Sequence, residues 1–259
     1  MILLMGGTSE SSAIAEAIAN AGFSVLVSMA TETPLAVPIG IRIELRRGRL
    51  NREQLRTLIK QRGITALVDA MHPFAAEAHS TAQQAAKDVN IPYLHWLREE
   101  SDLSNVSNLY LASDHQDAAW KATELQRPIL LTIGSRNVAP YVYAARAADL
   151  SIYVRVLPGR ESEESCRLAG LGSSEIIAAR GPFTVEDTLN LLLAFEIGTL
   201  VTKESGRVGG VPEKLKAANR AGCNVVIVKR AIFEEQTLCR SLDELIKRLT
   251  SSLYRHPLP

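Results

Sequence analysis

The sequence has few cysteines and no long apolar run. Cys166, Cys223 and Cys239 are the only cysteines among its 259 residues. An odd number of cysteines without metal-ligand spacing indicates reduced thiols in a reducing compartment. No apolar run approaches the roughly 18 residues that a membrane-spanning helix needs, and the apolar residues 1–7 lack the basic stretch of a signal peptide. The sequence therefore predicts a cytoplasmic protein that does not contact a membrane.

A large excess of charge of either sign is also missing. The 29 basic and 28 acidic residues leave a formal net charge of +1, so no overall field attracts nucleic acid or a membrane surface. An acidic substrate would need a local cluster of cations. The sequence also lacks HExxH, GxSxG and Walker A motifs, and its histidines show no metal-ligand spacing. Neither a metal site nor an enzyme nucleophile is predicted.

Short apolar runs alternate with helical patterns along the whole chain. Strands separated by single helices need crossover connections, which produce parallel sheets covered on both faces. About ten strands are predicted, at residues 2–5, 25–28, 41–45, 66–69, 92–96, 129–133, 151–156, 175–179, 199–202 and 224–229. This number is too large for one small sheet, and the polar stretch 98–108 lacks periodicity. We therefore predict an α/β protein with two Rossmann-like domains, at residues 1–100 and 101–259.

A glycine-containing turn, Gly6-Gly7-Thr8-Ser9, follows the first predicted strand. In doubly wound folds the ligand crevice lies beyond the carboxyl ends of the strands, where glycines let a pyrophosphate approach the backbone at a helix N-terminus. The motif is not GxGxxG, because Ser11 occupies the place of the third glycine. We predict that these four residues contact dinucleotide phosphates. The alternative is a tight turn capped by Ser9.

The second predicted strand ends near Ser28, which we predict to contact the cofactor. It ends without an acidic residue, and Glu32 comes late. An acid at this position would bind the ribose 2′-hydroxyl of NAD. Its absence favours NADPH, as do the nearby arginines at 42, 46, 47 and 49. The alternative is that these arginines form a solvated surface.

A second motif, His72-Pro73-Phe74, follows the fourth predicted strand. Proline fixes the backbone and biases the preceding residue away from helix. A rigid turn that carries a histidine and a phenylalanine could form a wall of a nicotinamide pocket. The alternative is an ordinary turn before a helix, with Phe74 in the core.

A third motif begins at Lys203, where a strand end is followed by a basic loop that contains glycines. This pattern is typical of an anion site, and the alternative is a mobile surface loop. We expect Glu204 to point away or to pair with a neighbouring arginine. The predicted substrate contacts at this and other strand ends are Arg136, Arg180, Lys203, Ser205, Gly206, Gly209 and Gly210.

Together these motifs resemble the precorrin-6A reductase family, which includes the cobalt-precorrin-6A enzymes. The resemblance covers about residues 2–230. It departs at Met71, where the family usually carries threonine. The motifs that carry it are Gly-Gly-Thr at 6–8, His-Pro-Phe-Ala at 72–75, Arg-Val-Leu-Pro at 155–158, Arg-Gly-Pro-Phe at 180–183 and Val-Thr-Lys-Glu-Ser-Gly at 201–206.

The resemblance implies two Rossmann-like domains with an interdomain cleft for cofactor and substrate. It implies hydride transfer from NADPH, or from NADH, to a double bond of a tetrapyrrole, precorrin-6A or cobalt-precorrin-6A, in cobalamin biosynthesis. Because the nicotinamide supplies the hydride, the protein positions the reactants and stabilises charge. His72 and Lys203 are the candidate catalytic residues. A monomer or small homo-oligomer without a metal requirement is expected.

Two other functions remain open at this point. One is another nicotinamide-dependent reductase on the same type of fold. The short-chain type would need a Tyr-x-x-x-Lys pair, and neither Tyr141 nor Tyr143 has a lysine four residues later. The other is a dinucleotide-sensing protein that binds without turnover.

Overall fold

A computed structural model of the protein describes residues 1–30, 42–230 and 237–255, and the side chains of residues 1–30, 42–230 and 237–252. The described residues form two compact units. The first contains Met1–Glu99 together with the C-terminal residues from 237 onward, and the second contains Glu100–Arg230. No helix among the described residues is both long and apolar enough to span a membrane.

The first unit is built on a six-stranded sheet in which every paired strand is parallel. The strands are β1 (Ile2–Met5), β2 (Val25–Met29), β3 (Ile43–Arg47), β4 (Ala66–Asp69), β5 (Tyr93–Trp96) and β12 (Leu238–Cys239). Their order in the sheet is β12-β5-β4-β1-β2-β3. The helices are α1 (Ser11–Asn20), α2 (Arg52–Gln61), α3 (Ala76–Asp88) and α9 (Leu242–Arg255).

The second unit repeats this plan with a second six-stranded parallel sheet. Its strands are β6 (Leu109–Ala112), β7 (Ile129–Thr132), β8 (Ile152–Val156), β9 (Ile176–Ala178), β10 (Thr199–Lys203) and β11 (Asn224–Val228). Their order in the sheet is β6-β11-β10-β7-β8-β9. The helices are α4 (His115–Glu124), α5 (Ala139–Ala147), α6 (Arg160–Leu168), α7 (Val185–Ala194) and α8 (Val211–Ala221).

Helices cover both faces of the first sheet, and this explains the continuous apolar strands. Successive side chains of a strand point to opposite faces. Ile2 and Leu4 therefore belong to one core cluster and Leu3 to another, and all three are fully buried. Helices α1 and α9 supply apolar side chains to the first cluster, and α2 and α3 supply them to the second: Ile14, Ile18, Leu245 and Leu249, then Leu55, Ile59, Ala82 and Ala85.

The second sheet has a corresponding core on the face that α7 and α8 cover. Leu130 and Leu200 from the central strands pack with Leu192 of α7 and Leu215 of α8. Helices α4 and α5 pack against each other as a second pair. The predicted α/β class with two Rossmann-like parallel sheets is confirmed.

The predicted range 101–259 for the second domain is wrong at its C-terminal end. Strand β12 pairs with β5, so that Cys239 lies beside Trp96, and α9 buries Leu245 and Leu249 in the first core. The segment therefore completes the first unit. The predicted strands also left out β6 and β12. Strand β12 has only two residues, which are too few to form a recognisable strand pattern in the sequence. Strand β6 lies at a sheet edge where Leu111 is exposed, so its residues do not have the pattern of a buried strand.

We expect the Leu245→Ala substitution to destabilise the first unit by about 2–5 kcal/mol, because it leaves a cavity in a fully buried position. The chain has two tryptophans, with Trp96 in the first unit and Trp120 in the second. In a Trp120→Phe background, fluorescence during urea unfolding therefore reports on the first unit. Lys247→Ala, at an exposed position of the same helix, is the control. An unchanged Trp96 transition in Leu245→Ala would contradict the placement of α9.

Candidate functional site

The turn between β1 and α1 holds the backbone close to the start of the helix. A Cβ atom at Gly6 would lie 2.8 Å from Ser11 Oγ, which leaves no room for a side chain. Gly7 has a φ of +109°, a conformation that favours glycine. The Ser11 hydroxyl accepts hydrogen bonds from the Gly7 and Thr8 amides at 3.1 and 3.2 Å. The turn is therefore shaped by Ser11, the residue in place of the third glycine.

The four residues predicted to contact the cofactor differ in exposure. Gly7 and Ser9 are exposed, whereas Thr8 is buried and donates its hydroxyl hydrogen to the Ala70 carbonyl at 3.2 Å. The alternative of a Ser9 cap is wrong, because the residue that precedes α1 is Glu10 and its side chain makes no capping hydrogen bond. The exposed part of the turn is thus Gly7 and Ser9, directly before the positive end of the helix.

Glu10 is an acidic residue at this helix start, and the sequence patterns did not single it out. Its carboxylate forms an ion pair with the buried Arg98 and accepts a hydrogen bond from Trp96 Nε1 at 3.2 Å. The positive charge of Arg98 offsets the negative charge of the Glu10 carboxylate. Glu10 therefore repels an anion at the turn less than an unpaired acid would.

Arg46 of β3 lies beside the carboxyl end of β2, where a NAD-binding protein would carry an acid. Ser28 is paired in register with Arg46 of β3. Arg46 Nη1 donates to Ser28 Oγ at 3.2 Å and to the Gly48 carbonyl at 2.6 Å. Glu32 falls outside the described residues. The structure thus brings Ser28 and Arg46 together, whereas Arg47 and Arg49 are exposed nearby.

The His72-Pro73-Phe74 turn lies directly after β4 and before α3. His72 is exposed and Pro73 is buried. The Phe74 amide donates to His72 Nδ1 at 3.2 Å, and the two rings lie 6.0 Å apart. The carbonyl of His72 accepts hydrogen bonds from the Ala75 amide at 2.8 Å and from His79 Nε2 at 3.0 Å. The turn is therefore held by specific hydrogen bonds, with the His72 ring accessible.

Beneath this turn lies a buried polar cluster of Asp69, His79, Tyr93 and His95. Asp69 is fully buried. Its Oδ2 atom lies 2.7 Å from His79 Nδ1 and accepts a hydrogen bond from the Tyr93 hydroxyl at 2.6 Å. His95 Nδ1 lies 3.7 Å from the same oxygen. Asp69 Oδ1 accepts from the Met71 amide at 3.1 Å. One carboxylate thus connects β4, β5, α3 and the turn.

The electrostatics of the cluster favour a charged Asp69. Burial alone raises the pKa of Asp69, but the hydrogen bond from His79 and the nearby His95 ring outweigh it and hold this pKa well below its usual range. Burial and the Asp69 charge raise the pKa of Tyr93. Both ring nitrogens of His79 face oxygen atoms, Asp69 Oδ2 and the His72 carbonyl, so the ring is held from both sides.

Asp69, His79 and His95 also place ligand atoms within 4.8 Å of one another, so they could hold a metal ion. The sequence pattern did not indicate this, because the three residues come from separate segments. Hydrogen bonds already engage the Asp69 and His79 atoms. That the protein needs no metal stays a prediction.

In the second unit, Lys203 ends β10 and is partly buried. Burial and, to a smaller extent, the charge of Arg136 together lower the pKa of Lys203 to about 8. The structure thus brings these two predicted substrate contacts near each other. Burial and the charge of Lys203 lower the pKa of His115, at the start of α4, to about 4. Arg180 is exposed after β9.

The loop after Lys203 is compact, and its alternative interpretation as a mobile surface loop is not supported by its packing. Ser205 is buried, and a Cβ atom at Gly209 would lie 2.1 Å from Ser205 Oγ. Gly206 and Gly210 have φ angles of +78° and +69°. These glycines allow the chain to turn sharply before α8.

The buried carboxylate of Glu204 holds this loop in place. Its Oε1 atom accepts hydrogen bonds from the Gly206 amide at 2.8 Å and from Arg230 Nη2 at 3.1 Å. The Ser101 amide and hydroxyl donate to the same oxygen at 3.3 and 3.2 Å. The expectation that Glu204 pairs with a neighbouring arginine is confirmed. Arg230 lies far along the chain, so the sequence did not indicate which arginine.

We expect Asp69→Asn to lower the free energy of unfolding by about 3–5 kcal/mol at pH 7, because the substitution removes the negative charge from a buried pair. The folded-state pKa of Asp69 is lowered, so its contribution is present above its ordinary value of 3.8 and is lost as the pH falls below it. Urea unfolding from pH 7 to pH 3 measures both effects. The free energy of unfolding of the variant should depend less on pH than that of the unmodified protein.

Asp243→Asn, at an exposed position of the same unit, is the matched control and should change stability little. A loss below about 1 kcal/mol in Asp69→Asn would show that the buried carboxylate does not hold this part of the fold.

Comparison with known proteins places the chain in a family. Residues 1–250 match the family described as precorrin-6x reductase CbiJ/CobK. The chain is 33% identical to the cobalt-precorrin-6A reductase of Priestia megaterium over 252 residues, which cover 97% of this chain and 98% of the relative. It is 32% identical over 232 residues to the precorrin-6A reductase of Rhodococcus erythropolis, with 88% of each chain covered.

The fold agrees with these relatives. A solved structure of CobK precorrin-6A reductase superimposes with a TM-score of 0.76 at 25% identity and covers 97% of this chain and 96% of its own. The family that the motifs predicted is thereby confirmed: the chain belongs to the precorrin-6x reductase family CbiJ/CobK.

Proposed function

We propose that the protein is a nicotinamide-dependent reductase that adds a hydride to a double bond of precorrin-6A or cobalt-precorrin-6A in cobalamin biosynthesis. The observation that carries this proposal is the family match over residues 1–250, with relatives of both names that align over most of the chain. A bound nicotinamide dinucleotide supplies the hydride, and the residues of the chain bind and orient the reactants.

The turn after β1 fits the phosphates of such a dinucleotide. Gly6 lets the backbone approach α1 closely, and a Cβ atom at Gly7 would have no atom of the described residues within 4 Å, so they leave the space above this glycine open. The first N–H groups of a helix have no partner within the helix. Gly7 and Ser9 would contact the phosphates at this helix start, and Thr8 would support them from below through its bond to Ala70.

The end of β2 fits NADPH better than NADH. Arg46 is fixed beside Ser28 by two hydrogen bonds and carries no acidic partner within 4.0 Å among the described residues. A guanidinium binds a phosphate through several hydrogen bonds. We infer that Arg46 binds the ribose 2′-phosphate of NADPH, with Ser28 as its support.

The His72-Pro73-Phe74 turn would lie along the nicotinamide. The Asp69 cluster fixes its backbone through the Met71 amide and the His72 carbonyl, so His72 and Phe74 keep a defined position. His72 is the candidate in the first unit for a residue that contacts the reacting atoms, because its ring is exposed at the carboxyl end of β4.

The substrate carries many carboxylates, and the second unit offers cations for them. Lys203 and Arg136 lie near each other, since the charge of one lowers the pKa of the other. Arg180 is exposed after β9. Ser205, Gly206, Gly209 and Gly210 form the compact loop that would carry backbone donors to the same group. Because Ser205 is buried, it shapes this loop.

The decisive assay measures NADPH oxidation when precorrin-6A or cobalt-precorrin-6A is added to the purified protein. We expect oxidation, with a higher kcat/KM for NADPH than for NADH, because Arg46 can bind the 2′-phosphate. Arg46→Gln should lower kcat/KM for NADPH about tenfold or more, by loss of a charge-assisted hydrogen bond, and should leave NADH little changed.

Arg47→Gln, at the exposed next position, is the control for charge alone. A preference for NADH in the unmodified protein would overturn the cofactor assignment. Binding of NADPH without oxidation would favour a dinucleotide-sensing protein. The relative rates with metal-free and cobalt-containing substrate identify the natural substrate.

We expect Lys203→Ala to raise KM for the macrocycle about ten- to a hundredfold, because a charge-assisted hydrogen bond of roughly 1.5–3 kcal/mol is lost. NADPH affinity, measured by titration of the free protein, should change little. Lys216→Ala, exposed on α8, is the control. Weaker NADPH binding with unchanged KM for the macrocycle would place Lys203 in the cofactor site instead.

A further inference from the structure

Two turns of the first unit are joined by a hydrogen bond, although they follow different strands. Thr8 lies in the turn after β1, and its hydroxyl donates to the Ala70 carbonyl at 3.2 Å. Ala70 directly follows β4 and is buried. Its amide donates to the Met5 carbonyl at 2.9 Å. The chain that enters the His72-Pro73-Phe74 turn is therefore fixed against the turn that we propose for the dinucleotide phosphates.

The same turn is held from its other side by His79 of α3. The His79 ring is buried, and its Nε2 atom lies 3.0 Å from the His72 carbonyl oxygen. The Ala75 amide donates to that oxygen at 2.8 Å. Within the turn His72 is exposed, whereas Pro73 is buried and Phe74 is half-buried. His79 thus connects a helix to the backbone of the residue whose ring is most accessible to a ligand.

Asp69 sets the direction in which His79 points. Its Oδ2 atom lies 2.7 Å from His79 Nδ1, whereas the other ring nitrogen faces the His72 carbonyl. The same carboxylate accepts hydrogen bonds from the Tyr93 hydroxyl at 2.6 Å and from the Met71 amide at 3.1 Å. A histidine ring that one nitrogen binds to a carboxylate presents its other nitrogen in a defined direction.

This arrangement is more elaborate than the start of a helix requires. Ala75, the residue before α3, makes no side-chain capping hydrogen bond, although a serine or aspartate there would satisfy the helix start directly. Four buried or half-buried polar side chains instead support one backbone carbonyl: Asp69, His79, Tyr93 and His95. Buried polar groups cost free energy, but a network in which they are satisfied specifies one arrangement. The network therefore fixes the turn more tightly than a single cap would.

We propose that His79 is a positioning residue for hydride transfer, which fixes the nicotinamide-facing turn 72–74 relative to the phosphate turn through the His72 carbonyl. The proposal rests on the proposed function and deepens it, because it gives a role in the chemical step to a buried side chain that does not contact the reactants. Asp69 acts one step further away, by orienting the His79 ring.

A loss of this contact should affect the chemical step more than cofactor binding. The dinucleotide is held at the turn after β1 and at Arg46 and reacts at its other end. A displaced 72–74 turn would leave the nicotinamide poorly placed without releasing the dinucleotide. Displacement of reacting atoms by about 1 Å can slow a reaction about a hundredfold.

Two substitutions separate the two contacts of His79. In His79→Gln the side-chain amide nitrogen reaches the place of Nε2, which keeps the hydrogen bond to the His72 carbonyl and loses the contact with Asp69. In His79→Asn the shorter amide takes the place of Nδ1, which keeps the contact with Asp69 and loses the one with His72. Positioning predicts that His79→Gln preserves function better than His79→Asn. A role confined to satisfying the buried Asp69 charge predicts the opposite order.

The first measurement needs no substrate, because the reduced nicotinamide ring of NADPH is fluorescent. Its anisotropy decay in the bound state shows whether the ring is fixed to the protein. We expect a single slow decay with the unmodified protein and with His79→Gln. His79→Asn should add a fast component from motion of the ring, while the Kd for NADPH changes little.

The second measurement is the rate of NADPH oxidation in a single turnover with precorrin-6A or cobalt-precorrin-6A, which isolates chemistry from product release. His79→Asn should lower this rate about ten- to a hundredfold, and KM for the macrocycle should change little. His79→Gln should react faster than His79→Asn. Leu245→Ala, which destabilises the same unit from α9, is the control for stability and should leave the rate and the anisotropy of the folded protein unchanged.

A fixed ring and an unaltered single-turnover rate in His79→Asn would overturn the positioning role, and so would a faster reaction in His79→Asn than in His79→Gln. Circular dichroism checks that each variant is folded. If His79→Asn does not fold, His79→Gln decides alone, since a folded His79→Gln protein with a mobile ring and a slow turnover would equally overturn the role. An unmodified protein that fixes the ring but oxidises NADPH with neither substrate would contradict the proposed function, and the anisotropy of the two variants would still test His79.

Discussion

Parallel pairing of all the described strands is the constraint on which the rest of the structure depends. Each parallel connection needs a crossover, so helices cover both faces of each sheet and the carboxyl ends of the strands collect at one edge. The apolar strands Ile2–Met5 and Thr199–Lys203 are buried for this reason. The same geometry places Gly6, Asp69 and Lys203, each at or just after a strand end, at the edges where ligands bind in such folds.

Each of the two sheet edges contains a buried carboxylate that is matched by hydrogen-bond donors. In the first unit the Asp69 carboxylate is matched by His79, His95 and the Tyr93 hydroxyl. Its charge is thereby kept, and it stabilises the turn that carries His72. In the second unit the Glu204 carboxylate accepts hydrogen bonds from Ser101, Gly206 and Arg230. A buried carboxylate that is matched in this way supports the fold, because its charge is not left without partners.

The C-terminal segment shows how non-local pairing decides domain limits. Helix α9 follows the second unit in sequence, yet its apolar face with Leu245 and Leu249 packs on the first sheet. Strand β12 extends the same sheet beside β5. Amphipathic spacing predicts that a helix forms and which face is apolar. It does not say which of two similar sheets that face covers, so the range 101–259 could not be corrected from the sequence.

The sequence by itself determined the class of the fold and the strand ends that carry the candidate site residues, because both depend on local patterns. Apolar runs separated by amphipathic segments predict parallel sheets, and glycine, proline and polar residues mark the turns. Tertiary structure alone decided that Ser11 and not Ser9 shapes the first turn, that Arg46 lies beside Ser28, and that the remaining partners assemble from distant segments. Those partners are Asp69 with His79, Tyr93 and His95, and Glu204 with Arg230. Local spacing specifies backbone conformation, whereas burial, hydrogen-bond partners and charge coupling arise only when separate strands and helices pack together.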